Sequence, residues 1–210
     1  GRTMDLLLGT QLKICGEVVV RIHQNLLSNE TDLSKITRVY SHAQSLAQCH
    51  EWLNRMLPGA QRISVGSNAQ AAQMASEEVG VAAIAGEAAA TRYKLPRLAE
   101  NIEDEPNNTT RFLVLGKHDA GPSGRDKTSL IMSAANRTGA LHELLLPLSS
   151  AGVSMCRLES RPARNALWEY VFYVDIEGHR DDAPIKAALE ELGRRSAYLK
   201  TLGSYPVAVY

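Results

Sequence analysis

The sequence predicts an α/β protein in two parts: a first part with a mostly parallel sheet covered by helices, and a second part with the ferredoxin-like order βαββαβ. Three observations support this prediction. Strand and helix signals alternate through residues 1–116, which is typical of a parallel sheet with helical crossovers. Residues 117–126, KHDAGPSGRD, combine glycine, proline, serine and charges as a linker does. Residues 127–210 then give four strand signals and two helix signals in the ferredoxin-like order.

The first part is built from short apolar runs separated by helical segments. Apolar or alanine-rich periodicity predicts helices over 46–57, 68–78 and 86–93. The first ends before Pro58-Gly59, and the second begins with Ser67 or Asn68 as its N-cap. Runs rich in β-branched or other apolar residues predict strands over 13–25, 36–40, 62–65, 79–85 and 111–115.

The second part is predicted in the same way. The expected strands are 128–134, 153–161, 167–176 and 198–207, and the expected helices are 139–151 and 182–193. Thr138 is the candidate N-cap of the first helix, and Pro147 inside it is expected to kink the helix or end it early. Gly193 is expected to close the second helix.

Composition excludes several classes of protein. The chain has 210 residues, 44% of them hydrophobic, so it can bury a core and is not a disordered polymer. Its 23 basic and 23 acidic residues balance, so no overall charge draws it to nucleic acid or anionic lipid. No apolar run approaches the ~20 residues of a membrane span, and no signal peptide is recognisable, so a cytoplasmic location is expected.

The cysteines give no metal or disulfide signal. Cys15, Cys49 and Cys156 lie far apart without a CxxC pair, and no Cys/His spacing suggests zinc. We therefore expect reduced, buried thiols and no metal site.

Two polar motifs in the first part are candidate sites. Asn108, Thr110, Arg111 and Phe112 belong to NNTTRF, which places polar donors at the start of a strand. An arginine beside a hydroxyl suits a carboxylate-bearing ligand, because a guanidinium binds a carboxylate through two parallel bonds. The alternative is a solvated loop that enters an edge strand.

Ser41, His42 and Gln44 follow a predicted strand and precede a helix. That position is the carboxyl end of a strand, where α/β proteins usually bind ligands. The alternative is an N-cap serine beside a surface histidine. No acidic partner for a Ser-His-Asp triad can be chosen from the sequence.

Two further motifs lie in the second part. Thr138-Gly139-Ala140-Leu141 opens a helix, where free amides attract an anion such as an amino-acid carboxylate. Leu158-Glu159-Ser160-Arg161-Pro162 ends a strand and displays both charges. Ordinary helix entry and a solvated strand end are the respective alternatives.

Taken together and in order, the motifs resemble the prephenate dehydratase family with its C-terminal ACT domain. The resemblance spans essentially the whole chain, and its most specific parts are N-x-T-R-F and the pair GAL plus ESRP. The chain is most similar to the proteobacterial P-protein type, in which a chorismate mutase domain often precedes the dehydratase. The matching stretches are VYSHAQSLAQC (39–49), SNAQAA (67–72), VAAIAGEAAATRYKL (81–95), NNTTRF (107–112), TGAL (138–141), LESRP (158–162) and LGSYP (202–206).

The chain also departs from that family. Neither the G-P-E/K-G-[ST]-[FY]-S stretch nor the later E-N-S/T motif occurs, and Asn68 and Gly86 stand where Thr and Ser are common. No helical mutase segment is present. We therefore expect that this chain lacks much of the first dehydratase lobe, a loss that would expose a sheet edge and apolar surface.

The resemblance implies a function and a set of site residues. It implies a lyase that removes CO2 and water from prephenate to give phenylpyruvate in phenylalanine biosynthesis, without metal or organic cofactor. It further implies domains at 1–116 and 127–210, feedback by L-phenylalanine, and a homodimer or homotetramer. The implied catalytic residue is Thr110, and the implied substrate-binding residues are Ser41, His42, Gln44, Asn108, Arg111 and Phe112. The implied effector-binding residues are Gly139, Ala140, Leu141, Leu158, Glu159, Ser160, Arg161 and Pro162.

Several alternatives stay open at this point. Arg111 could serve instead as a structural ion-pair partner. The chain could be a non-catalytic phenylalanine-binding regulatory fragment, or an arogenate dehydratase, since sequence separates those two substrates poorly. A solute-binding protein would share the two-lobed layout, but no secretion signal is recognisable and the NNTTRF and ESRP motifs argue against it.

Overall fold

The computed structural model describes residues 2–134, 137–162 and 170–209. The chain forms two compact units, one of residues 1–19 with 111–210 and one of residues 20–110. The chain therefore crosses from one unit to the other twice, after Val19 and after Thr110. This division differs from the predicted domain boundary at 117–126. Residues 111–116, which form most of a strand, belong to the same compact unit as the ferredoxin-like sheet.

The secondary structure follows the predicted order closely. Within the described residues the helices are α1 Arg2–Gly9, α2 Ala43–Gln48, α3 His50–Met56, α4 Asn68–Glu77, α5 Glu87–Tyr93, α6 Ala140–Ser150 and α7 Ala183–Arg195. The strands are β1 Lys13–Arg21, β2 Asn25–Leu27, β3 Arg38–Ser41, β4 Gln61–Ser64, β5 Val81–Ala85, β6 Arg97–Ala99, β7 Thr109–Gly116, β8 Asp126–Ser133, β9 Met155–Pro162, β10 Tyr170–Glu177 and β11 Tyr198–Pro206. Residues 167–169 of the predicted third strand of the second part lie outside the described residues.

The unit of residues 20–110 contains a five-stranded sheet in the order β4-β3-β5-β2-β6. The prediction of a mostly parallel sheet is not well supported, because the sheet is mixed: β3 runs parallel to β4 and β5, but β2 runs antiparallel to β5 and β6. The physical reason is the connections. Helices join β3 to β4 and β4 to β5, as parallel pairing requires, whereas a short 3-10 turn over Leu33–Lys35 is the regular structure between β2 and β3.

Both faces of this sheet are covered, because its central strand is apolar throughout. All of Val81–Ala85 is buried. Val81, Ala83 and Ala85 pack in one cluster with the buried alanines of α4, and Ala82 and Ile84 pack in another with Leu53 of α3. The period-2 alternation of a strand thus supplies two cores, one on each face.

The other unit contains the ferredoxin-like sheet, in the order β11-β8-β10-β9 with antiparallel pairing throughout. This confirms the βαββαβ prediction. Leu144 and Leu148 of α6 and Leu192 of α7 pack on one face of the sheet. Leu7 of α1 and Ile14 of β1 belong to the cluster that includes Ile131, Tyr173 and Tyr205, so the second face is covered as well.

Three details at helix ends correct the sequence prediction. Gly139, not Thr138, is the N-cap of α6, with a left-handed φ of +77° that favours glycine. Of the two outcomes expected for Pro147, an early end of α6 does not occur: the helix continues to Ser150, and Pro147 and Leu148 are both buried in the core. Gly193 does not close α7, because Arg194 and Arg195 bond to Glu191 in the last turn and the helix runs to Arg195.

A two-stranded sheet of β1 and β7 carries exposed apolar side chains. Val18, Phe112 and Val114 are all exposed, with 54% of Phe112 accessible. The strand β1 has Gly16 beside Val114, since a Cβ at Gly16 would lie 3.6 Å from the Val114 side chain. We call Val18, Phe112 and Val114 the apolar face of the β1–β7 sheet.

Across residues 2–134, 137–162 and 170–209, no helix has both the length and the apolar character needed to cross a bilayer.

Candidate functional site

The end of β3 is held by hydrogen bonds from a buried serine. Ser41 is fully buried, and its hydroxyl lies 2.7 Å from the Ile84 carbonyl oxygen and 2.9 Å from Asn68 Oδ1. Asn68 Oδ1 also accepts a bond of 3.1 Å from the His42 amide. Asn68 therefore fixes the turn between β3 and α2, at the carboxyl end of β3 where a ligand was expected.

This arrangement continues inward as a network of neutral polar groups. Asn68 Nδ2 donates to Ser45 Oγ at 2.9 Å, and Gln24 Nε2 lies 3.2 Å from the same oxygen and 3.1 Å from Gln48 Oε1. Gln24 is only 3% exposed, and its Oε1 finds no hydrogen-bond partner among the described residues. We call Gln24, Ser41, Ser45, Gln48 and Asn68 the amide network. The sequence motifs pointed to Ser41 and noted Asn68, but gave no signal for Gln24.

His42 and Gln44 lie at the surface above this network. Both are exposed, and His42 is the N-cap of α2, with Nδ1 accepting from the Gln44 amide at 3.3 Å. The expected alternative of a serine N-cap is therefore wrong, because the Ser41 hydroxyl points to Ile84 and Asn68 instead.

The NNTTRF motif spans the end of a loop and the start of β7. The carbonyl oxygen of Asn108 accepts from the Ile22 amide at 2.9 Å, while Asn108 Nδ2 is buried without a hydrogen-bond partner in the described part of the chain. Thr110 and Phe112 are exposed on β7. Thr110 thus presents an accessible hydroxyl, as a group that acts on a ligand must.

A pocket of about 490 Å³ lies beside this motif, and its lining is acidic. Asn108 lines it, whereas Thr110 is not among the described lining residues, which are Ala47, Gln48, His50, Glu51, Glu103, Asp104, Glu105, Asn107 and Asn108. Four carboxylates would repel a dianionic ligand. The pocket therefore does not suit a substrate that carries two carboxylates.

Two of these carboxylates have structural partners. Asp104 accepts from the Glu51 amide at 2.9 Å and from the Trp52 amide at 3.0 Å, at the start of α3. Burial of Glu103 raises its pKa, but bonds from the Gln24 amide and the His23 ring outweigh burial and hold the pKa below its usual value.

Arg111 is engaged by protein groups. Its Nε lies 2.6 Å from Glu17 Oε2, and its Nη1 lies 2.5 Å from Asp175 Oδ2. Its Nη2 donates to Tyr205 Oη at 2.5 Å. These contacts favour the structural ion-pair role of Arg111, and its substrate-binding role stays a prediction.

The two motifs of the ferredoxin-like sheet lie at the same end of that sheet. In the strand register Val171 of β10 stands between Ser133 of β8 and Arg161 of β9. Gly139 is the N-cap of α6, which follows β8 in the chain, while LESRP belongs to β9. Ser133 Oγ is buried and has no hydrogen-bond partner among the residues that the structure describes.

The side chains of the LESRP motif have mixed environments. Leu158, Ser160 and Pro162 are exposed. Leu141 of the TGAL motif is partly buried at the start of α6. Glu159 Oε1 accepts from Arg161 Nη2 at 2.6 Å, and the Arg161 guanidinium lies 5.8 Å from the Tyr173 ring centroid. The Arg161 and Arg157 guanidiniums hold the pKa of Glu159 below its usual value. Glu159 is therefore a charged carboxylate at neutral pH.

No metal centre is evident: within the described ranges, no three His, Cys, Asp or Glu side chains are grouped to hold an ion.

Comparison with known proteins identifies the family. The family model described as prephenate dehydratase matches residues 1–120, and the ACT domain model matches residues 128–194. The bifunctional chorismate mutase/prephenate dehydratase of Neisseria gonorrhoeae is 58% identical over 212 residues, covering 100% of this chain and 59% of that protein. The prephenate dehydratase of Amycolatopsis methanolica is 37% identical, covering 97% of this chain and 68% of that protein.

A solved structure has the same fold. The crystal structure of the prephenate dehydratase of Arthrobacter aurescens in complex with L-Phe is 34% identical, with a TM-score of 0.86 over 99% of this chain and 70% of that one. The chain spans about 59% of the length of the bifunctional relative named above. On the match over residues 1–120 and these relatives, the chain belongs to the prephenate dehydratase family and carries an ACT domain.

Proposed function

We propose that this chain carries the prephenate dehydratase activity of its family, converting prephenate to phenylpyruvate with loss of CO2 and water. The observation that carries the proposal is the family match over residues 1–120, within which the Thr110 hydroxyl is exposed at the start of β7. The reaction creates an aromatic ring, so its products are strongly favoured. The task left to the protein is to hold a dianion and to help the ring hydroxyl leave.

Thr110 is suited to the second part of that task. A neutral threonine hydroxyl is a poor acid, but it can donate a hydrogen bond to a departing oxygen that becomes more negative. A donor aimed at developing charge contributes about 3–4 kcal/mol to transition-state stabilisation. Such a donor needs neither a metal nor an organic cofactor.

Substrate binding in this proposal involves the β3–α2 turn and the NNTTRF motif. The exposed His42 and Gln44 offer polar groups, Phe112 offers an exposed ring, and Asn108 Nδ2 is a donor without a partner among the described residues. Ser41 contributes indirectly, because its hydroxyl is committed to Ile84 and Asn68.

The test compares Thr110→Val with Thr110→Ser by following phenylpyruvate formation from prephenate. Val removes the donor at nearly constant volume and is expected to lower kcat by about 100-fold or more, whereas Ser keeps the donor and is expected to lose less. Equal kcat for the wild type and Thr110→Val would contradict the role of Thr110. No turnover by the folded wild-type chain, on prephenate or on arogenate, would contradict the dehydratase activity of this chain.

We further propose that the ACT domain binds L-phenylalanine as a feedback effector. The Arthrobacter aurescens relative was crystallised with L-Phe, and here Val171 of β10 pairs with Arg161 of LESRP on one side and, on the other, with Ser133, which ends the strand that precedes TGAL. The positive end of the α6 helix dipole suits the carboxylate of an amino acid, and the charged Glu159 suits its ammonium group. Leu141, Leu158 and Pro162 supply apolar contacts.

Calorimetric titration with L-phenylalanine, with L-tyrosine as control, tests the effector proposal. Saturable binding of phenylalanine alone is expected. Binding without any turnover would favour a phenylalanine-binding regulatory fragment over an enzyme. Light scattering in the same samples would test the proposed homodimer or homotetramer, and a cytoplasmic location stays a prediction.

A further inference from the structure

A buried charged cluster joins β1 and β7 to the ferredoxin-like sheet. At its centre the Glu17 side chain is fully buried, and Oε1 accepts from Lys127 Nζ at 2.9 Å and from the Ala208 amide at 3.0 Å. Glu17 Oε2 accepts from Arg111 Nε at 2.6 Å. We call Glu17, Arg111, Lys127, Ser129, Asp175 and Tyr205 the Glu17 cluster.

Arg111 links this cluster to three strands of the sheet. Its Nη1 and Nη2 reach Asp175 on β10 and Tyr205 on β11. Ser129 on β8 connects these two partners of Arg111: its Oγ donates to Asp175 Oδ1 at 2.5 Å and lies 2.6 Å from Tyr205 Oη. The Arg111 guanidinium also lies 6.0 Å from the centroid of the Tyr205 ring.

Stability alone is a weak explanation for such a cluster. Two positive and two negative side chains are removed from water, and the desolvation of buried ion pairs usually offsets most of their attraction. Removal of one partner is costly, however, so the arrangement specifies one geometry. The side chain whose geometry is most fully specified is Arg111, since all three of its guanidinium nitrogens have partners.

The residue before Arg111 is Thr110, which lies on the opposite side of β7. Successive side chains of a strand point to opposite faces, and Thr110 is exposed while Arg111 is largely buried. One rise of about 3.3 Å separates the two residues along the strand. The fixed side chain and the accessible hydroxyl therefore belong to consecutive residues of one strand.

We propose that Arg111 is a positioning residue for the dehydratase reaction: its contacts with Glu17, Asp175 and Tyr205 fix β7 on the ferredoxin-like sheet and thereby hold the Thr110 hydroxyl at the reacting oxygen. The inference rests on the proposed function. Asp175 and Tyr205 belong to the ferredoxin-like sheet, so the residue that follows Thr110 in the chain is bonded to two strands of that sheet.

The test uses two conservative variants and a matched control. Arg111→Lys keeps the charge but cannot reach three partners with one ammonium, and Tyr205→Phe keeps the ring but loses the hydroxyl. Arg180→Lys is the control, because Arg180 forms an ion pair of 2.8 Å with Asp119 in the same unit but not on β7. Each variant is assayed for kcat and KM with prephenate, and its thermal midpoint is recorded.

The expected result is a split between the two kinetic constants. Misplacement of a donor by about 1 Å can lower a rate by up to about 100-fold, so kcat should fall by about tenfold or more in both cluster variants. KM should stay within about twofold, because the Thr110 bond strengthens only in the transition state. The control should match the wild type. A wild-type kcat in both folded cluster variants would overturn the proposal. It would also be overturned if Arg180→Lys lost as much kcat and thermal stability as the cluster variants.

Hydrogen exchange separates this proposal from the proposed function. If the wild type turns over neither prephenate nor arogenate, the proposed function has failed. The protection of the β7 amides can still be measured in that case. Faster exchange of the 109–116 amides in Arg111→Lys and Tyr205→Phe, with unchanged exchange in α4 and in Arg180→Lys, would support the positioning of Thr110 by the cluster. Unchanged exchange over 109–116 would overturn it.

Discussion

In residues 20–110 the buried polar side chains around Ser41 are neutral, whereas in the other unit those around Glu17 are charged. The amide network relies on the number and direction of hydrogen bonds between hydroxyls and carboxamides. The Glu17 cluster relies on two carboxylates that face an arginine and a lysine. The two groups should therefore respond to different changes. The amide network should be sensitive to loss of a donor or acceptor, and the Glu17 cluster to loss of charge.

The largest effect is expected at Gly203, in the unit that contains the Glu17 cluster, where β11 passes close to the backbone of β1. A Cβ at Gly203 on β11 would lie 2.1 Å from the Ile14 carbonyl oxygen on β1, and the nearest atom is backbone that cannot rotate away. Gly203→Ala should therefore lower the free energy of unfolding by about 3–5 kcal/mol. Urea denaturation followed by circular dichroism measures this loss.

Gly193→Ala is the matched control in the same unit. Its new Cβ would lie 3.7 Å from Leu199 Cδ2, an ordinary contact, and Gly193 lies in α7. This change should raise the free energy of unfolding by up to about 1 kcal/mol, since alanine is the better helix former. Similar free energies of unfolding for the two variants would show that β11 does not approach β1 closely at Gly203.

A smaller effect is expected from loss of the central amide in the neutral network. Asn68→Ala removes one hydrogen bond each from Ser41 Oγ, the His42 amide and Ser45 Oγ. Ser41 Oγ keeps the Ile84 carbonyl and Ser45 Oγ keeps Gln24, so the loss of these three bonds should lower the free energy of unfolding by about 1–3 kcal/mol, with little dependence on pH. Gln73→Ala on the exposed side of α4 should change it little, and equal losses in the two variants would contradict the role of the network.

Acid should distinguish the charged cluster from the neutral network. Burial raises the pKa of Glu17, but bonds from the Ala208 amide, Lys127 and Arg111 outweigh burial and bring the pKa below 4.5. A lowered folded-state pKa adds stability above the unfolded value near 4.5, and this stability is lost as pH falls through the folded pKa. Glu17→Gln should remove this part of the acid dependence, whereas Asn68→Ala should keep it.

The measurement is the free energy of unfolding between about pH 6 and pH 3 for both variants and the wild type. Asp175 is the second carboxylate that faces Arg111, so it is left unchanged in all variants. The comparison then reports the loss of the Glu17 carboxylate alone. Parallel curves for Glu17→Gln and the wild type would contradict the assigned role of Glu17.

Much of the fold could be predicted because its strands are short, continuous apolar runs. Val81–Ala85 is buried on both faces and gave a clear signal, and the ferredoxin-like order was correct. The direction of β2 could not be predicted, since Asn25–Leu27 has three residues and adjoins a longer extended run. The helix α1 was not predicted, although its Leu7 is buried in the core.

The candidate site divides in a similar way. Motifs indicated Ser41 and Thr110, because each lies in a short local pattern. No local pattern indicated which residues pair with Arg111: Tyr205 belongs to the LGSYP stretch, but it and Glu17 each lie 94 positions from Arg111, and Asp175 lies 64 positions away. Ordinary strand residues become a charged cluster only when β1, β7, β10 and β11 are brought together, which no local pattern records.

The smallest effect on stability is expected at the apolar face of the β1–β7 sheet, where exposed surface was anticipated. Val18 is 49% exposed, so Val18→Thr should change the free energy of unfolding by less than about 0.5 kcal/mol. It should nevertheless reduce aggregation, measured as turbidity against concentration, because Val18 shares a contiguous apolar face with Phe112 and Val114. Val79→Thr is the control: Val79 is 87% exposed and belongs to the other unit, of residues 20–110, and single exposed apolar residues are ordinary. If the two variants reduced turbidity equally, aggregation would follow total exposed apolar area, and the β1–β7 face would have no special part in association.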